Sequence, residues 1–183
     1  MLDYRSLLVK TSALSALLFT TAIVLAENQK PTEGLTEFKS DPGKFSIRLP
    51  GKPQQEDVEV GTAKEKQHQF TVGMEKGAYI ISYQENPNLK NSSPQQIAAA
   101  LESGRDRLKE VFHGKLVESK ATTLNKTSPG LNFRLEMAEP KGEARCRFYM
   151  VGTRLYEIIV IGEPAFANST EATQVIDSFK LLK

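Results

Sequence analysis

The sequence predicts an α+β protein in the order ββββ-α-ββββ-α, an antiparallel sheet with helices packed on it. Three observations support this. Short runs alternate apolar and polar residues and are separated by Gly/Pro turn signals. One long segment in the middle has helical spacing behind a clear cap, and a second, shorter helical segment closes the chain. Runs of strands broken by whole helices belong to the α+β class rather than to a parallel βαβ array.

Taken in order, Asp41-Pro42-Gly43 is a turn signal, and Phe45, Ile47 and Leu49 alternate behind it as a half-buried strand closed by Pro50-Gly51-Lys52-Pro53. Val58 and Val60 mark a short second strand, and Lys66, His68, Phe70, Val72 and Met74 share one face of a third. Ala78 to Tyr83 is rich in β-branched and aromatic residues and forms the fourth. Ser93-Pro94-Gln95-Gln96 is a capping box with Pro at the first helical position, so a helix runs from Pro94 to about His113. Ile97, Leu101, Leu108, Val111 and Phe112 form its apolar stripe. Four strands follow: Lys115 to Leu124, Leu131 to Ala138, Glu143 to Val151 and Leu155 to Ile161. Their spacing predicts an antiparallel meander. Asn168-Ser169-Thr170-Glu171 caps the closing helix, with Ala172, Val175, Ile176 and Phe179 inward. Strand parity makes Phe133, Leu135, Cys146, Phe148 and Ile158 core positions.

The organisation is that of an exported chain. Two cations precede a charge-free apolar run ending in Val24-Leu25-Ala26, the pattern of a secretory signal peptide over residues 1–26. An uncleaved membrane anchor is the alternative, since Leu7 to Leu25 approaches the ~20 apolar residues of a spanning helix. Residues 27–40 are polar, hold Pro31 and Gly34, and read as a flexible lead-in to a single domain over 41–183. About 157 mature residues bury enough surface to need no staple. Cys146 is the only cysteine, so no internal disulfide forms. Losing Arg5, Lys10 and Asp3 takes the formal charge from +2 to +1. Such a balance, with the signs interspersed, excludes nucleic acid and an anionic membrane surface as main partners.

The motifs of catalysis are missing. There is no Gly-x-Ser-x-Gly elbow, no dinucleotide or Walker fingerprint, and no set of metal ligands beside His68 or His113, so no cofactor, metal or enzymatic activity is expected. Cys146 has the apolar parity of its strand and reads as a small buried hydrophobe.

One polar constellation remains. With Glu139-Pro140-Lys141-Gly142 as a turn, Ala138 faces Glu143, and the register sets Leu135 against Cys146, Phe133 against Phe148 and Leu131 against Met150. The other face then holds Arg134 opposite Arg147, with Glu136 opposite Arg145. Opposed cations want a counter-charge. Glu157 on the next strand is the expected one, making Arg134, Arg147 and Glu157 the candidate binding residues, with a structural ion pair as the alternative role.

Phe45-Ser46-Ile47-Arg48-Leu49-Pro50-Gly51-Lys52-Pro53, the middle helix, Tyr149-Met150-Val151-Gly152-Thr153-Arg154-Leu155-Tyr156 and Ser178-Phe179-Lys180-Leu181 together resemble uncharacterised secreted bacterial domains of PsbP-like fold. The resemblance implies an α/β/α sandwich, an antiparallel sheet with helices on both faces, used to bind a partner without catalysis. The expected function is a non-catalytic secreted or periplasmic domain that binds another protein or supports an envelope or lumenal complex. A carrier of a small apolar ligand and an unconventional hydrolase are the alternatives.

Overall fold

The computed structural model describes residues 34–60 and 65–182, so the signal segment expected over 1–26 lies outside the described residues. The fold is mixed α+β, with antiparallel sheets and few helices. The first departure from expectation comes early: Thr36–Ser40, read as part of the lead-in, is a strand, β1. It pairs antiparallel with β2, Phe45–Leu49, through a turn at 41–44 in which the Ser40 hydroxyl accepts the Gly43 N–H at 3.1 Å. Phe38 is the one large apolar side chain that β1 offers, and it sits on Phe45 and Phe70, with centroids 6.2 and 5.1 Å away. One anchor makes no period, which is why alternation did not reveal the strand. The chain's last strand, β10 (Lys180–Leu181), pairs with the other edge of β2 to complete a three-stranded sheet.

The larger sheet has seven strands. They are β3 (Gln54–Val60), β4 (Glu65–Met74), β5 (Gly77–Glu85), β6 (Gly114–Leu124), β7 (Ser128–Met137), β8 (Gly142–Val151) and β9 (Arg154–Gly162). Their order is β3-β4-β5-β9-β8-β7-β6, and every pairing is antiparallel. The two halves join where β5 meets β9. Tyr79, Ile80 and Ile81 oppose Val160, Ile159 and Ile158, and all six are buried. Strands apolar on both faces belong at the centre of a covered sheet.

Each face has its own core. Helix α1, Pro94–Val111, starts on the expected capping box, with the Ser93 hydroxyl accepting the Gln96 N–H and the Gln96 side chain accepting the Ser93 N–H. It packs over β6, β7 and β8, placing Leu101, Leu108 and Phe112 on Phe133, Leu135, Phe148 and Ile159. Its stop is His113, at φ 47°, rather than Gly114, which already belongs to β6. On the opposite face lie β2 and α3 (Thr170–Asp177), whose Phe45, Ile47, Leu49, Val175 and Ile176 meet Tyr79, Ile81, Tyr156 and Val160. Half of that cover is therefore a small sheet, where the resemblance implied helices. Phe133, Leu135, Cys146 and Phe148 are buried under α1, as strand parity predicted, whereas Ile158 is buried on the opposite face, opposite Arg147, so the parity expected for its strand is inverted.

Between β9 and α3 a single turn of helix, α2 (Pro164–Ala167), drops the Phe166 ring over Gly77 and Gly162, which face each other across β5 and β9. A Cβ on Gly162 would collide with the Lys76 carbonyl and with that ring. Gly162→Ala is expected to destabilise the domain by roughly 1–3 kcal/mol, the range for overpacking. Urea unfolding measures this, and an unchanged midpoint would contradict the packing.

Candidate binding cleft

The site begins with the register of β7 and β8. The turn occupies 138–141 and pairs Met137 with Gly142, so the two strands sit two residues away from the expected register. Leu131 faces Phe148, Phe133 faces Cys146 and Leu135 faces Ala144. A slip of two preserves the face of every side chain, so matching apolar pairs cannot distinguish the two registers. The polar face changes its pairs: Arg134 lies opposite Arg145, Glu136 opposite Glu143, and Arg147 opposite Asn132.

Glu157 is not the counter-charge. The two-residue turn Gly152-Thr153 pairs Val151 with Arg154, which puts Glu157 opposite Phe148 on the α1 face, away from Arg134 and Arg147. There it is buried and accepts bonds from Gln67, Ser82 and Arg107 of α1. The acids that meet the arginines are Glu143, 3.0 Å from Arg134, and Asp177 of α3, 2.8 Å from Arg147.

Arg145, which the sequence reading paired with Glu136, completes the group. Together with Arg134, Arg147, Asn132, Glu118 and Ile176 it lines a cleft of about 190 Å³ between β6–β7–β8 and α3. The three guanidiniums are held differently. Arg145 donates to the Ala167 carbonyl at 3.2 Å and the Thr173 hydroxyl at 3.0 Å, tying β8 to both closing helices. Arg147 donates through Nε to the Asn132 side-chain oxygen and through Nη1 to Asp177, both at 2.8 Å. Arg134 gives one bond to Glu143, whose other oxygen takes an N–H from Asn168 at 2.8 Å. That bond to Glu143 raises the Arg134 pKa, so its charge is permanent. A guanidinium has five N–H donors, so each arginine keeps donors beyond these bonds. Three such forks line the cleft with Glu118, and although Glu143 and Asp177 each hold one of them, the remaining N–H donors suit a carboxylate, which arginine grips with paired bonds. Arg145 has the same strand parity as Arg147, and that was the signal that could have found it.

Elsewhere, Asp57 of β3 holds His68 of β4 (2.6 Å), and His68 stacks on Tyr83 at 4.6 Å. Lys66 on the other carboxylate oxygen, with His68 beside it, keeps the Asp57 carboxyl below its usual range. Burial, with Glu157 behind it, pushes the Cys146 thiol well up, which makes it a poor nucleophile. Among the described residues no group of three His, Cys, Asp or Glu is placed to hold a metal ion, and no helix is long and apolar enough to cross a membrane.

No family model and no curated protein matches the chain. Among solved structures it is similar to cyanobacterial PsbP (CyanoP) from Synechocystis sp. PCC 6803, with a TM-score of 0.58 over 82% of this chain and 94% of that one. The fold is PsbP-like. At 11% identity the likeness is one of fold alone. A protein of unknown function from Pseudomonas aeruginosa, described as a putative regulator, aligns over 76% of this chain and 90% of its own, at 8% identity and a TM-score of 0.43.

Proposed function

We propose that this PsbP-like chain is an exported, non-catalytic accessory domain that binds another protein in the periplasm or a comparable lumen, and that its arginine cleft receives a carboxylate of that partner. The observation behind this reading is the convergence of Arg134, Arg145 and Arg147 on one open cleft. Export rests on the charged start, the apolar run and Val24-Leu25-Ala26, and an accessory role is in keeping with the likeness to cyanobacterial PsbP.

Recognition at this cleft is electrostatic. Val117, at 40% exposure, is the one large apolar side chain well exposed among the described residues, so there is no broad apolar patch for a dry interface. A carrier of apolar ligands fits less well. Such pockets run from about 300 Å³ and are lined mostly by apolar groups, whereas this cleft is smaller, at about 190 Å³, and lined mainly by polar and charged side chains.

A photo-crosslinker at position 132 of the full chain, expressed in its host, tests the proposal. One dominant crosslinked protein is expected. Its yield should fall severalfold in Arg134→Ala and in Arg147→Ala, and the association should weaken as salt rises. Arg147→Ala should fold, because its partner Asp177 is exposed and such pairs contribute about 0–1 kcal/mol; Arg134→Ala leaves the buried Glu143 with the Asn168 amide alone, so its folding is checked by circular dichroism. Equal crosslinking in all three proteins would remove the cleft from consideration.

A further inference from the structure

The seven-stranded sheet ends in two edges, β3 and β6. An edge strand presents unpaired N–H and C=O groups, and proteins guard such edges with charge, bulges or a covering segment. β3 is guarded by its acids: Glu56, Asp57 and Glu59 stand on a strand with no cation, so a second strand of the same kind would be repelled. β6 is built differently. It is the longest strand among the described residues, Gly114–Leu124, and the five successive residues from Val117 to Ala121 are all exposed, so neither face of this stretch is covered.

The charges on β6 are arranged in a self-complementary way. Glu118 and Lys120 share the face of the arginine cleft, Glu118 opposite Arg134 and Lys120 opposite Asn132. Ser119 lies between them on the α1 face, opposite Phe133, and its hydroxyl accepts from Arg105 at 3.1 Å. An antiparallel copy of the strand centred on Ser119 would set Glu118 of each copy against Lys120 of the other. Opposite charges in directly facing positions stabilise a strand pair and like charges destabilise it.

The other registers are few. Facing residues of an antiparallel pair are either both bonded or both unbonded through the backbone, so a twofold centre must fall on a residue. A centre at Glu118 or at Lys120 opposes like charges. A centre at Val117 falls on the bulge, where the register with β7 shifts. A centre at Ala121 sets Lys120 against Thr122 and pairs no charges. Ser119 alone gives two attractive pairs, and it also lays Val117, the one large apolar side chain well exposed among the described residues, against Ala121 of the copy. It is the midpoint of β6, so the two strands overlap along their whole length.

We propose that β6 is a homodimer edge, through which two copies of this chain pair antiparallel about a twofold axis at Ser119 and join their large sheets into one. Arg134 already has Glu143 as its partner at 3.0 Å, and Glu118 gains its own in Lys120 of the second copy. The β7 strands of the two copies then lie three strand spacings apart, about 14 Å, and both arginine clefts open on the same face. The dimer rests on the edge alone and does not depend on what the cleft binds. One strand per copy buries less than the ~1,000 Å² of a stable complex, so the dimer is reversible.

Sedimentation equilibrium of the protein produced from the full chain, from about 10 μM to 1 mM, covers the range of such weak association. A monomer–dimer equilibrium is expected. Lys120→Glu turns both attractive pairs into repulsive ones and should weaken the dimer about tenfold. Glu118→Lys should do the same. The double variant Glu118→Lys/Lys120→Glu restores both pairs with the signs exchanged and should bring the dimer back. Ser119→Cys sets two thiols face to face across the axis, with Cα atoms about 4.5–5.5 Å apart, within reach of a disulfide. Mild oxidation should therefore give a covalent dimer. Ala121→Cys, whose two copies stand about 14 Å apart in this register, should give none, and the native Cys146 is buried and does not interfere. Three results would overturn the proposal: a protein that stays monomeric to about 1 mM, a double variant that associates no better than the single ones, or equal disulfide yield at 119 and 121. Crosslinking through position 132 reads the cleft separately, so either idea can fail without the other.

Discussion

Phe148→Ala is expected to lower the unfolding free energy by roughly 3–5 kcal/mol, the range for a buried aromatic truncated to a methyl. Phe148 has no exposed surface, and its ring meets Phe133 edge-on with centroids 4.9 Å apart. The helix above is held off the hole by Leu101, Leu108 and Phe112, which rest on Phe133, Leu135 and Ile159. Gly104 sits directly over the ring, where an added Cβ would lie 3.0 Å from Phe148 Cε2. The cost of a core truncation depends on how well the site collapses, and here the backbone of α1 and the sheet are both fixed. Urea unfolding followed by circular dichroism measures the loss. The arginine cleft is on the other face of β8, so crosslinking through position 132 should survive under conditions where the variant is folded. A stability change within ~0.5 kcal/mol, as surface substitutions give, would mean that β8 is turned over.

Alkaline pH should unfold the domain much more readily than acid. Burial, aided by the Glu171 carboxylate 2.7 Å away, raises the Tyr79 hydroxyl far above its usual range. Burial also raises Tyr83 and Tyr156, and it raises the thiol of Cys146. In each case the folded-state pKa lies above the unfolded one, so the native chain keeps a proton that the unfolded chain gives up. The stabilising term is therefore complete below the unfolded values, about 8.5 for the thiol and 10 for a phenol. It is lost as pH rises from those values toward the folded ones. Each such group removes up to about 1.4 kcal/mol per pH unit within its window. Asp57 works in the opposite direction: its carboxyl is lowered in the fold, so its contribution is lost only as pH falls below about 4. That group is more than a third exposed and its contribution is small. Urea midpoints should stay level from pH 6 to 8 and fall steeply from about pH 9 upward, where the thiol and then the phenols ionise. Tyr79→Phe should flatten the limb above pH 10. Level stability to pH 11 would refute this, since no phenol pKa could then differ between the two states.

A good deal of this molecule is legible locally. The Ser93 and Ser169 caps, the apolar stripe of α1 and the period-two alternation through Phe133, Leu135, Cys146 and Phe148 each depend on side chains within a turn or a strand of one another. The faces of the β7 and β8 residues were correct for that reason. The tight turn at Gly152-Thr153 is legible too, and counting through it puts Glu157 with Phe148. The candidate site was half legible: Arg134 and Arg147 do share a cleft, but Arg145 belongs with them and Glu157 does not.

What the sequence by itself determined was the α+β class, the identity of the main elements and the core parity of the meander, because propensity, capping and amphipathic period act over a few residues. Tertiary structure alone decided the rest. The two-residue shift between β7 and β8 is invisible to parity, since an even slip leaves every side chain on its own face. The pairing of β5 with β9 closes a loop of some seventy residues and leaves no local trace. The strands β1 and β10 exist because β2 has two edges to satisfy, not because their own residues alternate. The arginine cleft joins side chains of one hairpin, β7 and β8, to α3 further along the chain, and that docking is settled by the energy of the whole packed sheet.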